Sequence, residues 1–197
     1  MTDEGPDAEF LQRTLPPAIL RGLGDRSYDK RKNSSVEMTQ LVKRWRESGE
    51  KGNISGLINH LNSDYLNSKN SNHRKGGLHG LAAVAIGLGS DCSSYLDIIL
   101  VPVLNCFDDP ESRVCYYACE SMYNIAKVTQ THVLPYFSLI FNGMCLLFAH
   151  TDADVKNGAN LLDRLMRDII VEANSFDMES MIPLFLKHMG RTKACIR

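Results

Sequence analysis

Residues 108–127 read DDPESRVCYYACESMYNIAK, and this stretch holds the fold in miniature. It opens on an Asp- and Pro-rich turn, because such residues stop one helix and cap the next. After the turn, Val114, Ala118, Ser121, Met122 and Ile125 recur at helical spacing, which predicts a helix with one stripe turned into a core. The same grammar returns at 151–170, TDADVKNGANLLDRLMRDII, with Asp152 or Asp154 near the cap and Val155, Ala159, Leu162, Leu165 and Ile169 inward. HRKGGLHGLAAVAIGLG at 73–89 supplies a third such helix and YDKRKNSSVEMTQLVKRW at 28–45 a fourth, each preceded by a shorter apolar helix.

Aligning Lys32, Lys75, Cys115 and Lys156 gives steps of 43, 40 and 41 residues, inside the window for HEAT or armadillo units. The first helices of the pairs are expected near Pro16 to Leu23, Gly52 to Asn67, Ser94 to Phe107 and Val133 to His150, with a fifth unit beginning near Asp177. Strict apolar/polar alternation, which a half-buried strand needs, is missing. The fold class is therefore all-α, a HEAT/armadillo-like α-solenoid of about four to five helical hairpins over residues 15–189. Residues 1–14 are expected to form a disordered lead-in and residues 190–197 an atypical or truncated tail. Gly76, Gly77, Gly80 and Gly87 fall in one helix, and each costs about 1 kcal/mol relative to Ala there. Tight contacts on both sides must compensate, so that helix should be central and buried. Pro102, inside an apolar helix, should kink it.

Composition closes several functional classes. The 22 Lys plus Arg nearly balance 23 Asp plus Glu, so no global field draws nucleic acid or an anionic membrane. The start MTDEGPDAEF lacks the basic-then-apolar order of a signal peptide, and the apolar run Tyr95 to Phe107 is too short to span a bilayer. Six cysteines scattered mainly through apolar runs read as reduced, buried thiols of a cytoplasmic protein rather than as a disulfide framework.

No P-loop, HExxH, GxSxG or EF-hand pattern occurs, and the Gly-rich helix lacks the preceding strand of a dinucleotide fingerprint. Cys115 and Cys119 sit four apart, but no second pair with ligand spacing accompanies them. The chain is accordingly expected to be no enzyme, without cofactor or metal. The candidate protein-binding residues are Tyr116, Glu120, Tyr123 and Lys127, one stripe opposite Val114, Ala118 and Ile125 on the third long helix. Exposed tyrosines anchor partners; packing between repeats is an equally good use of these two. Asp163 with Arg167 and Arg164 with Asp168 read as helix-stabilising pairs, and Lys30, Arg31, Lys32, Lys43, Arg44 and Arg46 as a solvated face. Spacing alone also allows a generic HEAT-repeat cargo or transport adaptor, although the recurrent Trp/Asn ladder of such adaptors is missing.

The phrases DRSYDKRK, HRKGGLHGLAAVAIGLG, YLDIILVPVLNCFDD, SRVCYYACESMYNIAKV, VLPYFSLIFNGM and NLLDRLMRDIIVEANSFD, over about 17–189, are specific beyond repeat spacing. In them the chain resembles the N-terminal HEAT-repeat region of the vacuole-morphology scaffold family (ArPIKfyve) of the phosphatidylinositol 3-phosphate 5-kinase complex. The resemblance implies a non-catalytic scaffold that binds the lipid kinase and supports its activation, controlling phosphatidylinositol 3,5-bisphosphate synthesis and endolysosomal or vacuolar morphology. It implies a phosphoinositide phosphatase as partner only with a C-terminal region that is missing here, and a peripheral place on endosomal or vacuolar membranes through partners. Two departures stand out. Cys115 replaces the usual Arg, so one charge contact between repeats is lost, and GRTKACIR does not read as a continuing repeat.

Overall fold

A computed structural model describes residues 15–173, 177 and 179–187. The expected lead-in at 1–14 and tail at 190–197 lie outside the described residues. Four helical hairpins follow one another: α1 (Pro17–Leu23) with α2 (Tyr28–Glu47), α3 (Lys51–His60) with α4 (Ser71–Leu88), α5 (Leu96–Asn105) with α6 (Ser112–Thr129), and α7 (Phe137–Ala149) with α8 (Ala153–Ala173). A short 3-10 turn, Glu179–Met181, and a helical segment at 182–187 come after them. The described residues include no strand. The long helices α2, α4, α6 and α8 pack side by side in chain order as one layer, and the shorter helices form the other.

The stripes read from the sequence are the core. Val114, Ala118, Ser121, Met122 and Ile125 are buried, as are Val155, Ala159, Leu162 and Ile169. On α8 the fully buried position is Met166, whereas Leu165 is only half-buried at the edge of the stripe. Two helical stretches, Ser71–Asp108 and Ser112–Ala149, are long and apolar enough to cross a membrane by length and composition. Each is two helices joined through a 3-10 turn, Gly89–Tyr95 or Gln130–Tyr136, and part of their apolar side chains lies in this core, while Ile86, Ile98, Val101, Leu139, Leu146 and Phe148 are exposed. The turns break the helices in the same way, with positive φ at Gly89 (59°) and Gln130 (50°).

The glycines of α4 act as the sequence requires. A methyl group on Gly76 would lie 2.1 Å from the Leu23 carbonyl oxygen, and one on Gly77 would lie 2.8 Å from Leu66 and Tyr65 side-chain carbons. Gly80 meets Leu61, and Gly87 meets Val42 and the Thr39 carbonyl, at 2.8 to 2.9 Å. One helix thus touches α1, α2 and the π-helical turn Leu61–Leu66 that extends α3. That turn also answers Pro102. Proline leaves the carbonyl four residues earlier without its helical donor, and the Asn62 amide donates to that carbonyl, Ile98 O, at 2.8 Å.

Each hairpin is tied at its turn by one repeated hydrogen bond. The side chains of Asp25, Ser68, Asp109 and His150 accept from the backbone N–H two residues on, at 2.8, 3.2, 2.9 and 2.9 Å. A second series corrects the repeat register by one residue. Arg31 donates to the carbonyls of Asp25 and Arg26, Arg74 to those of Ser68 and Lys69, and the Cys115 thiol to that of Asp109. Arg31 and Arg74, rather than Lys32 and Lys75, are therefore the counterparts of Cys115. Arg31 also leaves the solvated face assigned to its cluster, being 3% exposed. Arg74 reaches into the next repeat and holds both carboxylate oxygens of Asp109, at 2.7 and 2.9 Å. The Asp109 position in the second repeat is Ser68, and Arg31 Nε stays buried without a partner.

Gly76→Ala should cost about 1 to 3 kcal/mol in urea unfolding, because its methyl meets backbone. Gly52→Ala, in a helix with nothing within 4 Å of the new methyl, should gain up to about 1 kcal/mol. Ser68→Asp should stabilise by about 1 kcal/mol through a charge-assisted contact with Arg31. The gain should vanish in an Arg31→Met background, which a double-mutant cycle measures.

Candidate functional site: a cleft on the long-helix layer

α6 presents its buried stripe to α4, α5 and α8, and its other side chains to solvent. Tyr116, Glu120 and Tyr123 come at helical i, i+4 and i+7, so they share a face. All three line one cleft of about 610 Å³ between α6 and α8, together with Arg113, Cys119, Asn124, Asp154, Asn157, Gly158 and Leu161. Lys127, the fourth residue of the expected stripe, is exposed near the C-terminal end of α6 and does not line the cleft. Tyr116 and Tyr123 are half-buried against the core, so each ring serves both packing and surface.

Gly158 sets the floor. A methyl there would lie 3.3 Å from Cys119 Sγ and 4.0 Å from a Tyr116 ring carbon, so the helices close up beneath the rings. Arg113 spans the cleft rim, donating to Asp154 at 3.2 Å while its guanidinium lies 5.1 Å from the Tyr116 ring centroid. Glu120 is half-buried, and burial raises its carboxyl above the ordinary range, with Lys32 and Arg113 acting against that rise. Neither cation makes an ion pair with it. A second cleft of about 300 Å³ crosses α2, α4 and α6 and shares Glu120 and Asn124 with the first; Tyr28, Lys32, Val36, His79 and Ile86 also line it.

An aromatic cluster that the sequence reading missed lies along this second cleft. Tyr117 is buried, 4.7 Å from the His79 ring and stacked on Tyr28 at 6.2 Å, and the Arg31 guanidinium lies 5.6 Å from its centroid. Its members come from three helices and share no sequence spacing. His79 Nε2 is buried without a partner, and burial together with Arg31 pushes the imidazole down to about 4. Burial likewise pushes the thiols of Cys92, Cys106 and Cys119 up to about 12. Among the described residues no group of three or more His, Cys, Asp or Glu is placed to hold a metal ion. Of the expected helix pairs, Arg167 meets Asp163 at 2.6 Å.

Comparison with known proteins gives this geometry a context. The family described as the Vacuolar 14 Fab1-binding region matches residues 72–168, which contain every residue lining the larger cleft. The chain is 44% identical over 183 residues, 93% of its length, to the protein VAC14 homolog of Arabidopsis thaliana. It is 48% identical over 164 residues to the protein VAC14 homolog of Schizosaccharomyces pombe, and 44% identical over 163 residues to the vacuole morphology and inheritance protein 14 of Saccharomyces cerevisiae, each alignment covering 82% of the chain. The alignments take in 25%, 20% and 18% of those relatives, so the chain spans a quarter of their length or less. Among solved structures, a computationally designed armadillo repeat protein aligns over 75% of this chain and 62% of its own, with a TM-score of 0.52 at 18% identity. A designed armadillo repeat protein in complex with the peptide (KR)4 aligns over 92% and 84%, with a TM-score of 0.51 at 14% identity. Both share the repeat fold.

The buried imidazole sets a pH dependence. Its folded pKa lies below the unfolded value, so its contribution to stability is present above about pH 6.5 and is lost as pH falls toward 4. Between pH 7 and pH 5 the loss should be about 1 to 2 kcal/mol, opposed by whatever Glu120 gains on protonation. In thermal melts at these two pH values His79→Phe should show a smaller drop, because it removes both the titration and the unpartnered nitrogen.

Proposed function

We propose, because residues 72–168 match the Vacuolar 14 Fab1-binding region family and the chain resembles the VAC14 homologues along nearly all its length, that it is a non-catalytic scaffold segment that binds a phosphatidylinositol 3-phosphate 5-kinase. The family match carries this reading. By holding the kinase it supports activation through proximity and ordering, and so phosphatidylinositol 3,5-bisphosphate synthesis and endolysosomal or vacuolar morphology. Membrane association is indirect, through the complex, from the cytoplasmic side. A phosphoinositide phosphatase joins only where a C-terminal region follows these repeats.

The docking residues proposed are Tyr116, Glu120 and Tyr123, with Lys127 at the end of the same helix. Their support is position, since the cleft they border lies inside the matched stretch and its rings offer amphipathic area with little rotamer entropy to lose. A generic cargo adaptor gains no support from this face. Counting by the 41-residue repeat, the counterparts of Asn124 are Ala83 and Leu165, so no amide ladder runs along the long helices.

In co-precipitation with the intact kinase, the double variant Tyr116→Ala/Tyr123→Ala should bind at least tenfold more weakly, about 1.4 kcal/mol or more. The rings are half-buried, so its melting temperature should drop by a few degrees while helical circular dichroism persists. Full kinase binding by this stably folded variant would place the docking surface elsewhere.

A further inference from the structure

The cleft between α6 and α8 contains a carboxyl, that of Glu120, on which Lys32 and Arg113 act only from a distance. Arg113 is engaged with Asp154 and lies on the Tyr116 ring. The Asn124 amide donates to the Glu120 backbone carbonyl at 3.0 Å and not to its carboxylate. Among the described residues, the Glu120 carboxylate has no hydrogen bond and no ion pair, although it is half-buried between two tyrosine rings. A partly desolvated carboxylate without a donor is costly, and a partner that supplies the donor recovers that cost on binding.

The surroundings select the donor. Arg113 already lies on the Tyr116 ring, so Tyr123 is the ring left to attract a cation, and Leu161, 56% exposed on α8, offers apolar surface to an aliphatic stem. Glu120 and Asp154 repel an anionic group. A wholly apolar side chain would bury the carboxylate further without pairing it. The neighbouring cleft continues past Glu120 and Asn124 to Val36 and Ile86, 54% and 42% exposed, so the occupied path extends from a charged point onto apolar ground.

We propose that this cleft receives a single arginine or lysine side chain from an extended segment of the protein partner, with the segment's neighbouring apolar residues lying on Val36 and Ile86. The cation pairs with the Glu120 carboxylate and its stem lies along Tyr123 and Leu161. This rests on the reading that the long-helix layer docks the lipid kinase, and it adds the chemistry of the docking segment.

The test uses overlapping 15-residue synthetic peptides spanning the kinase sequence, probed with the purified chain and with Glu120→Gln, alongside co-precipitation of the intact kinase. Glu120 has no partner to lose, so the Gln variant should keep its helical circular dichroism and its melting temperature within about two degrees. Peptides that bind should each contain an Arg or Lys whose replacement by Gln weakens binding tenfold or more. Glu120→Gln should weaken the same peptides to the same degree, and combining the two changes should add little. Peptides that bind without a cation, or that bind Glu120→Gln as tightly as the unaltered chain, overturn the proposal. So does an intact kinase that binds both proteins equally while no peptide binds either. Failure of the intact kinase to bind the unaltered chain at all overturns the underlying reading as well.

Discussion

The stack depends on how closely backbone can approach α4. Gly76 leaves no room for even a methyl group beside the Leu23 carbonyl, and Gly77, Gly80 and Gly87 admit Tyr65 and Leu66, Leu61, and Val42 in turn. Helices this close bring polar groups within reach across the layers. Tyr65 donates to the Leu20 carbonyl at 2.7 Å, Ser121 to the Leu78 carbonyl at 2.9 Å, and Arg46 to the Leu88 carbonyl at 3.1 Å. Four glycines in a helix cost several kcal/mol of intrinsic propensity. Burial of Leu78, Leu81, Val84 and Leu88 on the same helix offsets it, at roughly 1.5 to 3 kcal/mol for each fully buried side chain. The glycines are thus selected by packing against the preference of the isolated helix.

Charge is distributed unevenly between the junctions. The second and third repeats are clamped by Arg74 on Asp109, side chains 14% and 7% exposed, with further carbonyl contacts for the guanidinium. The first junction has the arginine without the carboxylate, and the third has neither charge at the corresponding positions, only the Cys115 thiol and His150. Repeat arrays add interface energies between neighbours, so the middle junction is the electrostatically strongest. The larger cleft opens beside the junction that lacks this clamp.

Helical periodicity made most of the fold legible, because a 3.6-residue stripe is a local property of sequence. Val114 through Ile125 and Val155 through Ile169 gave the right faces, with Met166 missed for Leu165, one position round the helix. The repeat register went one residue astray because Lys32 and Lys75 resemble each other in sequence, while the contact that defines the repeat belongs to Arg31 and Arg74. Tyr116, Glu120 and Tyr123 were legible together for the same local reason. The opposite wall, Asp154, Asn157, Gly158 and Leu161, lies about forty residues on, and no spacing pairs it with them. Tyr117 was missed because it meets Tyr28 and His79 only across three helices.

What the fold does with its reactive side chains bears on the kind of function it serves. A thiol held up to about 12 is almost wholly protonated near neutral pH, and an imidazole held down to about 4 is a weak base. Cys119 and His79 each border a cleft, and burial shifts the thiol up and the imidazole down. Glu120 differs in kind, since it is half-buried and, among the described residues, no neighbour donates a hydrogen bond to its carboxyl or pairs with it. A cleft that sets a half-buried, unpaired carboxyl beside tyrosine rings is suited to holding a partner side chain in place.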